Sequence, residues 1–183
     1  FNPRKKLFHT GANGNTVWGL WRDAQGRFFC KIFNKIHPYD PQTGRVEFTQ
    51  PFPNASSRLF DLVPEASGAC WLLGREEEEN GQAILQHTNR NGVVEQRFPF
   101  KFNAHPYARL LASRRGALWM TGANCQLVRF DPATAGFTYF DYTHLFGDDA
   151  NGIRAFAVAE DYNGVIWIGT QQGLVKVTTR GES

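Results

Sequence analysis

The sequence has no apolar run of the roughly 18 residues that a membrane-crossing helix needs. It opens at Phe1 without a charged segment followed by an apolar stretch. The expectation is a segment that does not itself insert into a membrane. Cysteine is scarce: Cys30, Cys70 and Cys125 stand far apart with no C-x-x-C spacing. That argues against a metal site or a disulfide framework and for three small buried hydrophobes. Charge is nearly balanced at +3, from 20 basic and 17 acidic residues, and no Lys/Arg block interleaved with aromatics marks a nucleic-acid groove. No Ser elbow and no H-E-x-x-H pattern is present. No catalytic residue, metal or cofactor is therefore assigned.

What the sequence has in quantity is aromatic residues and glycine: 16 Phe, 5 Trp and 18 Gly among 183 residues. Those are the residues of many short strands joined by tight turns, and the expected class is all-β. The stretch 151–177 shows the unit, with strands expected at 153–160, 165–170 and 174–177 broken by Asp161-Tyr162-Asn163-Gly164 and Gln171-Gln172-Gly173. So short a unit must bury its faces against copies of itself. Copies are present: Gly26, Gly68, Gly116 and Gly164 follow one another at 42, 48 and 48 residues, and three residues beyond each stands Phe29, Trp71, Trp119 or Trp167. This period is that of a four-stranded propeller blade.

The run Asp161-x-x-Gly164-x-x-Trp167-Ile168-Gly169-Thr170-x-x-Gly173-Leu174 resembles the repeat of the two-component-regulator propellers, found in the periplasmic halves of bacterial hybrid sensor kinases. The third repeat keeps Gly116, Leu118, Trp119 and Met120 but reads Thr121-Gly122 for Gly-Thr. The second keeps Trp71 and Gly74, and the first has Phe28-Phe29-Cys30 in place of Leu-Trp-Ile. The resemblance implies a β-propeller of about four four-stranded antiparallel blades, cut from a longer array that is usually seven-bladed.

Phe1-Asn2-Pro3 to Phe8 parallels Tyr39-Asp40-Pro41 to Phe48 and Phe130-Asp131-Pro132 to Phe140, the joints between third and fourth strands. Residues 1–10 are accordingly expected to be the last strand of a preceding blade, followed by blades at 16–50, 57–100 and 106–142 and an incomplete blade at 151–178. Either four blades close by pairing the two ends, or the chain is a fragment; the fragment is the favoured expectation. Open strand edges on terminal blades would invite self-association.

Linkers between blades and the loops joining second to third strands should emerge on one face, where the family places ligands. The candidate ligand residues there are Arg75, Asn124, His105, His144, Gln171 and Gln172. Amides, Arg and His suit the paired donors and acceptors of a sugar. Arg58, Arg109 and Arg154 fall at or near first strands, where they would bind an anionic ligand or pair with Asp61. The repeat tryptophans are expected to pack between blades. Glu76, Glu77, Glu78 and Glu79 read as a solvated hairpin tip, because they lack the spacing of a calcium loop.

The resemblance implies a ligand-sensing periplasmic segment of an inner-membrane regulator, non-catalytic itself, binding an oligosaccharide and passing the signal to a kinase outside this chain. Its partners would be that ligand and the other blades and domains of the receptor. A protein-interaction propeller is the alternative. A propeller lyase is the third reading, and it needs His105 and His144 at one substrate atom.

Overall fold

A computed structural model describes residues 16–33, 35–49, 51–56, 58–76, 82–103 and 105–178. They form four antiparallel sheets, each a meander in chain order. The first is β1 (Val17–Arg22), β2 (Phe28–Ile32), β3 (Lys35–Asp40) and β4 (Arg45–Val46); the second is β5 (Arg58–Pro64), β6 (Cys70–Arg75), β7 (Ala83–Thr88) and β8 (Val94–Phe100). The third is β9 (Arg109–Ala112), β10 (Leu118–Thr121), β11 (Gln126–Asp131) and β12 (Gly136–Asp141). The fourth holds β13 (Ala155–Glu160), β14 (Ile166–Thr170) and β15 (Gly173–Val177). The expected strands at residues 1–10 and beyond 178 lie outside the described residues.

The sheets are propeller blades. Each first strand adjoins the next blade's first strand, β1 to β5, β5 to β9 and β9 to β13, so these strands surround the axis. One apolar cluster fills each seam. Phe29, Ile36, Phe52, Leu59 and Leu62 join blades 1 and 2; Trp71, Leu73, Leu85, Leu118 and Phe130 join blades 2 and 3; Trp119, Leu127, Ile153, Ile166 and Ile168 join blades 3 and 4. Burying each such side chain contributes about 1.5–3 kcal/mol. Phe29, Trp71 and Trp119 are thus seam residues, as expected: the Trp71 ring meets Phe130 of the next blade edge-on at 5.6 Å, whereas Trp167 packs within its own blade against Lys176. All three cysteines are free and buried.

The turn from first to second strand is built locally. Asp161 Oδ1 accepts from the N–H groups of Asn163 and Val165, and its Oδ2 accepts from the Trp167 indole at 3.1 Å. Those bonds hold the Asp161 carboxyl below its usual range, the indole bond first. The turn needs a left-handed residue, supplied by Gly164 at φ +78°. Asp23 makes the same two backbone bonds to Gln25 and Arg27, but with Phe29 in the aromatic place its second oxygen pairs with the Arg27 side chain at 2.6 Å.

Candidate functional site

The opposite end of the first strands is irregular in a regular way. In β1, β5 and β13 the pairing register slips at one residue, between Val17 and Gly19, between Leu59 and Asp61, and between Ala155 and Ala157. The skipped residues are Trp18, Phe60 and Phe156, each eight positions before its blade's turn glycine. A bulge re-aims the side chain it carries: Trp18 and Phe156 are left partly exposed, while Phe60 packs into the seam between blades 2 and 3. The third blade has Ala108 at that position, and the preceding Tyr107 occupies the space: its ring lies 5.3 Å from Trp18 and 5.3 Å from Phe156. Three blades therefore contribute to one aromatic patch at the channel mouth. Trp18 remains 43% exposed and Phe156 39%, which leaves ring surface for a ligand.

His105 completes the patch. Its ring stacks on Tyr107 at 4.7 Å and its Nδ1 accepts the Tyr107 N–H at 3.2 Å, so the neutral ring carries its proton on Nε2 as a donor. Burial, then Arg154 and Lys31, push its pKa below the ordinary value, which keeps it neutral near pH 7. Beneath the patch sits a buried ionic network. Lys31, 1% exposed, donates to the carbonyls of Phe60 at 2.6 Å and Pro106 at 2.5 Å, tying blade 1 to blades 2 and 3. Asp61 accepts from Leu62 N–H and from Leu110 N–H, both at 2.9 Å. Burial raises Asp61 to about 6 and lowers Lys31 to about 8, each opposed by the other's charge. Arg109 donates from Nε to the Phe156 carbonyl at 3.0 Å and lends positive charge to Asp61.

Of the six sequence-predicted ligand residues, only His105 stands in this patch. Gln171 adjoins it through its backbone, whose N–H donates to the Arg154 carbonyl at 3.3 Å. Asn124 lies one turn away with its Oδ1 accepting Gly152 N–H, a structural role that fixes the linker into blade 4. The Gln172 backbone N–H donates to Thr170 Oγ1 within its hairpin. Arg75 ends β6 paired with Arg58 and Ala83 in register. His144 sits on the short 3-10 turn Thr143–Leu145, where it adds positive charge beside Asp141, so it and His105 have different neighbours. Sequence reasoning missed Trp18, Tyr107 and Phe156. The shared repeat position of Trp18, Phe60 and Phe156 was the available signal.

A cavity of about 240 Å³ lies elsewhere, between β3 and the linker into blade 2. Lys35, His37, Phe48 and Ser56 are among its lining. It is smaller than the roughly 300–1,000 Å³ of ordinary ligand sites, and one seam supplies it. The channel mouth draws on three blades and is the better candidate.

Fold and site together define a β-propeller with an aromatic, cationic channel mouth. Residues 147–172 match the two component regulator propeller family. The extracellular domain of BT4673 from B. thetaiotaomicron, assigned to the hybrid two component systems, superposes with a TM-score of 0.63 at 14% identity, over 98% of this chain and 25% of that one. The corresponding domain of BT3049 gives 0.62 at 18% identity, over 95% and 24%. Virginiamycin B lyase from Staphylococcus aureus gives 0.55 at 16%, over 93% and 58%. The chain spans about a quarter of the length of the two B. thetaiotaomicron domains. At these identities the likeness establishes the fold, which sensors and a lyase share. No curated protein sequence matches the chain. Among the described residues no helix is long and apolar enough to cross a membrane, and no group of three or more His, Cys, Asp or Glu is placed to hold a metal.

Proposed function

We propose that this chain is the ligand-sensing part of an extracytoplasmic, periplasmic propeller in a bacterial two-component regulator, and that its channel mouth binds a carbohydrate. The observation that carries this reading is the bulge-aimed patch of Trp18, Tyr107 and Phe156 beside the His105 donor. A sugar ring presents C–H groups on one face and hydroxyls at its rim. Exposed aromatic faces cover the first and a fixed N–H donor serves the second. The segment itself is non-catalytic in this reading: among the described residues His105 has no acid or base partner at the patch, and His144 stands beside Asp141 instead. The likeness to sensor domains supports the receptor role. Binding would act on a kinase outside this chain by favouring one arrangement of the propeller and its neighbouring blades over another. β15 ends its sheet among the described residues with Leu174 66% exposed, an edge suited to those neighbours or to a second copy.

A thermal-shift screen of the chain against an oligosaccharide panel tests the reading. Ligand at 100 times its Kd stabilises by about 2.7 kcal/mol, a shift of roughly 2–4 °C per kcal/mol at this chain length. The expected result is a selective shift, absent in Trp18→Ala and Phe156→Ala, with no product formed. A shift that survives both substitutions, or no shift with any sugar, overturns it.

A further inference from the structure

The cations around the mouth are not all accounted for by the fold. Lys31 is held by two carbonyls and Arg109 by one, and Asp61, the acid of that network, is 4% exposed and already holds two backbone N–H groups. Arg154 is different. It is exposed, stands two residues before Phe156, and its charge reaches His105 strongly enough to depress that ring's protonation. Its guanidinium has no hydrogen bond or ion pair to any described residue. Its backbone, by contrast, is clamped. Arg154 bridges Ala123, its carbonyl accepts Gln171 N–H, and the flanking Ile153 carbonyl and Ala155 N–H bond Asn124 and Gly122. A side chain with five donors is thus carried on a fixed backbone beside an aromatic patch, with no carboxylate supplied to it by the described residues.

The sequence gives Arg58 the same repeat position, ten residues before the turn glycine, where the other two blades carry Thr16 and Pro106. Arg58 is likewise exposed and without a side-chain partner among the described residues. Among the described residues the mouth bears Arg58, Arg109 and Arg154 above the buried Lys31 and Asp61, a surplus of positive charge. A guanidinium meets a planar carboxylate or a sulfate through two parallel N–H bonds, and low-dielectric aromatic walls strengthen the attraction.

We infer that the ligand of the channel mouth is an acidic saccharide, its ring on Trp18, Tyr107 and Phe156 and its anionic group on the Arg154 guanidinium, with Arg58 as a second cation for a longer chain. This rests on the carbohydrate reading above and adds the charge of the ligand to it.

The test is calorimetric titration of the 183-residue chain with four probes: a galacturonate trisaccharide, its methyl ester, the neutral galactose trisaccharide and a sulfated galactose trisaccharide. An acidic probe is expected to bind at least about tenfold more tightly than the ester and the neutral sugar. The preference should shrink as salt rises from about 50 to 500 mM, as exposed charge pairs are screened. Arg154→Gln should abolish the preference without moving the melting temperature, Arg154→Lys should restore part of it, and Trp18→Ala should weaken all probes alike. A preference for the sulfate over the carboxylate, or the reverse, supports the inference and identifies the anion. If the ester and the neutral sugar bind as well as the acids, or if Arg154→Gln leaves the preference intact, the charge assignment fails while the sugar site stands. If no probe binds the folded chain, both fail.

Discussion

The two ends of the same first strands behave differently. At the turn end, four blades solve one backbone problem in nearly one way. Each turn holds a left-handed glycine; Asp23 and Asp161 each accept two N–H groups there, Ser67 bonds Ala69 N–H, and Ser113 bonds Arg115 N–H while Glu160 reaches over from blade 4 to Ser113 and Arg114. At the linker end the repeat positions diverge: Trp18, Phe60, Ala108 and Phe156 at one, Thr16, Arg58, Pro106 and Arg154 at another. The reason is geometric. Turn residues answer a backbone need that every hairpin repeats, whereas at the linker end side chains from three blades meet in one patch, where identical large rings would compete for the same space.

Substitutions at the two ends should therefore part company. The largest effect is expected for Trp119→Ala, three residues beyond its turn glycine and 4% exposed, which should cost about 3–5 kcal/mol in urea unfolding. A cost under about 1 kcal/mol would show that the seam between blades 3 and 4 does not hold the fold. Asp61→Asn comes next, because an amide cannot accept from both Leu62 and Leu110 without turning a donor toward one of them. About 1–3 kcal/mol is expected.

That variant also tests a pH dependence. Asp61 is raised on folding to about 6, so the native chain holds this proton more tightly, and its contribution to stability falls as pH rises from the ordinary aspartate range to about 6. Lys31 is lowered to about 8, so its contribution increases as pH rises from about 8 toward the ordinary lysine value. Unfolding free energies measured across pH should lose the acid-side slope in Asp61→Asn and keep the alkaline one. An unchanged acid-side slope would place its origin in other carboxylates.

Asp23→Ala should cost about 1–2 kcal/mol, since it leaves the Gln25 and Arg27 N–H groups without their acceptor. Trp18→Ala is expected to be the mildest, within about 1 kcal/mol, as half-exposed positions usually are. Its effect should appear in ligand binding. Should Trp18→Ala prove as destabilising as Trp119→Ala, the distinction between a folding end and a binding end would collapse.

How legible each end was follows from the same distinction. Gly26, Gly68, Gly116 and Gly164 with their aromatics announced the blades, because a left-handed turn and a ring three residues on are requirements of every copy. The site was only partly legible. His105, chosen for its place on a linker, stands in the patch, while Asn124, chosen on the same ground, has its Oδ1 on the Gly152 N–H. A polar residue on the right face looks the same in sequence whether it meets a ligand or caps its own loop. Phe156 looked like an ordinary residue of the strand expected at 153–160.

The sequence by itself determined the strand meander, the blade period and the class of side chain at each seam, since these depend on local turn chemistry and on repeated burial. Only the tertiary structure decided that Trp18 and Phe156, at the slipped register, would both meet Tyr107, and that Lys31 would be held by two buried carbonyls while Arg154 was left exposed. Those outcomes depend on which side chains from blades far apart in the chain arrive at one channel, and that is fixed by how the blades pack around it.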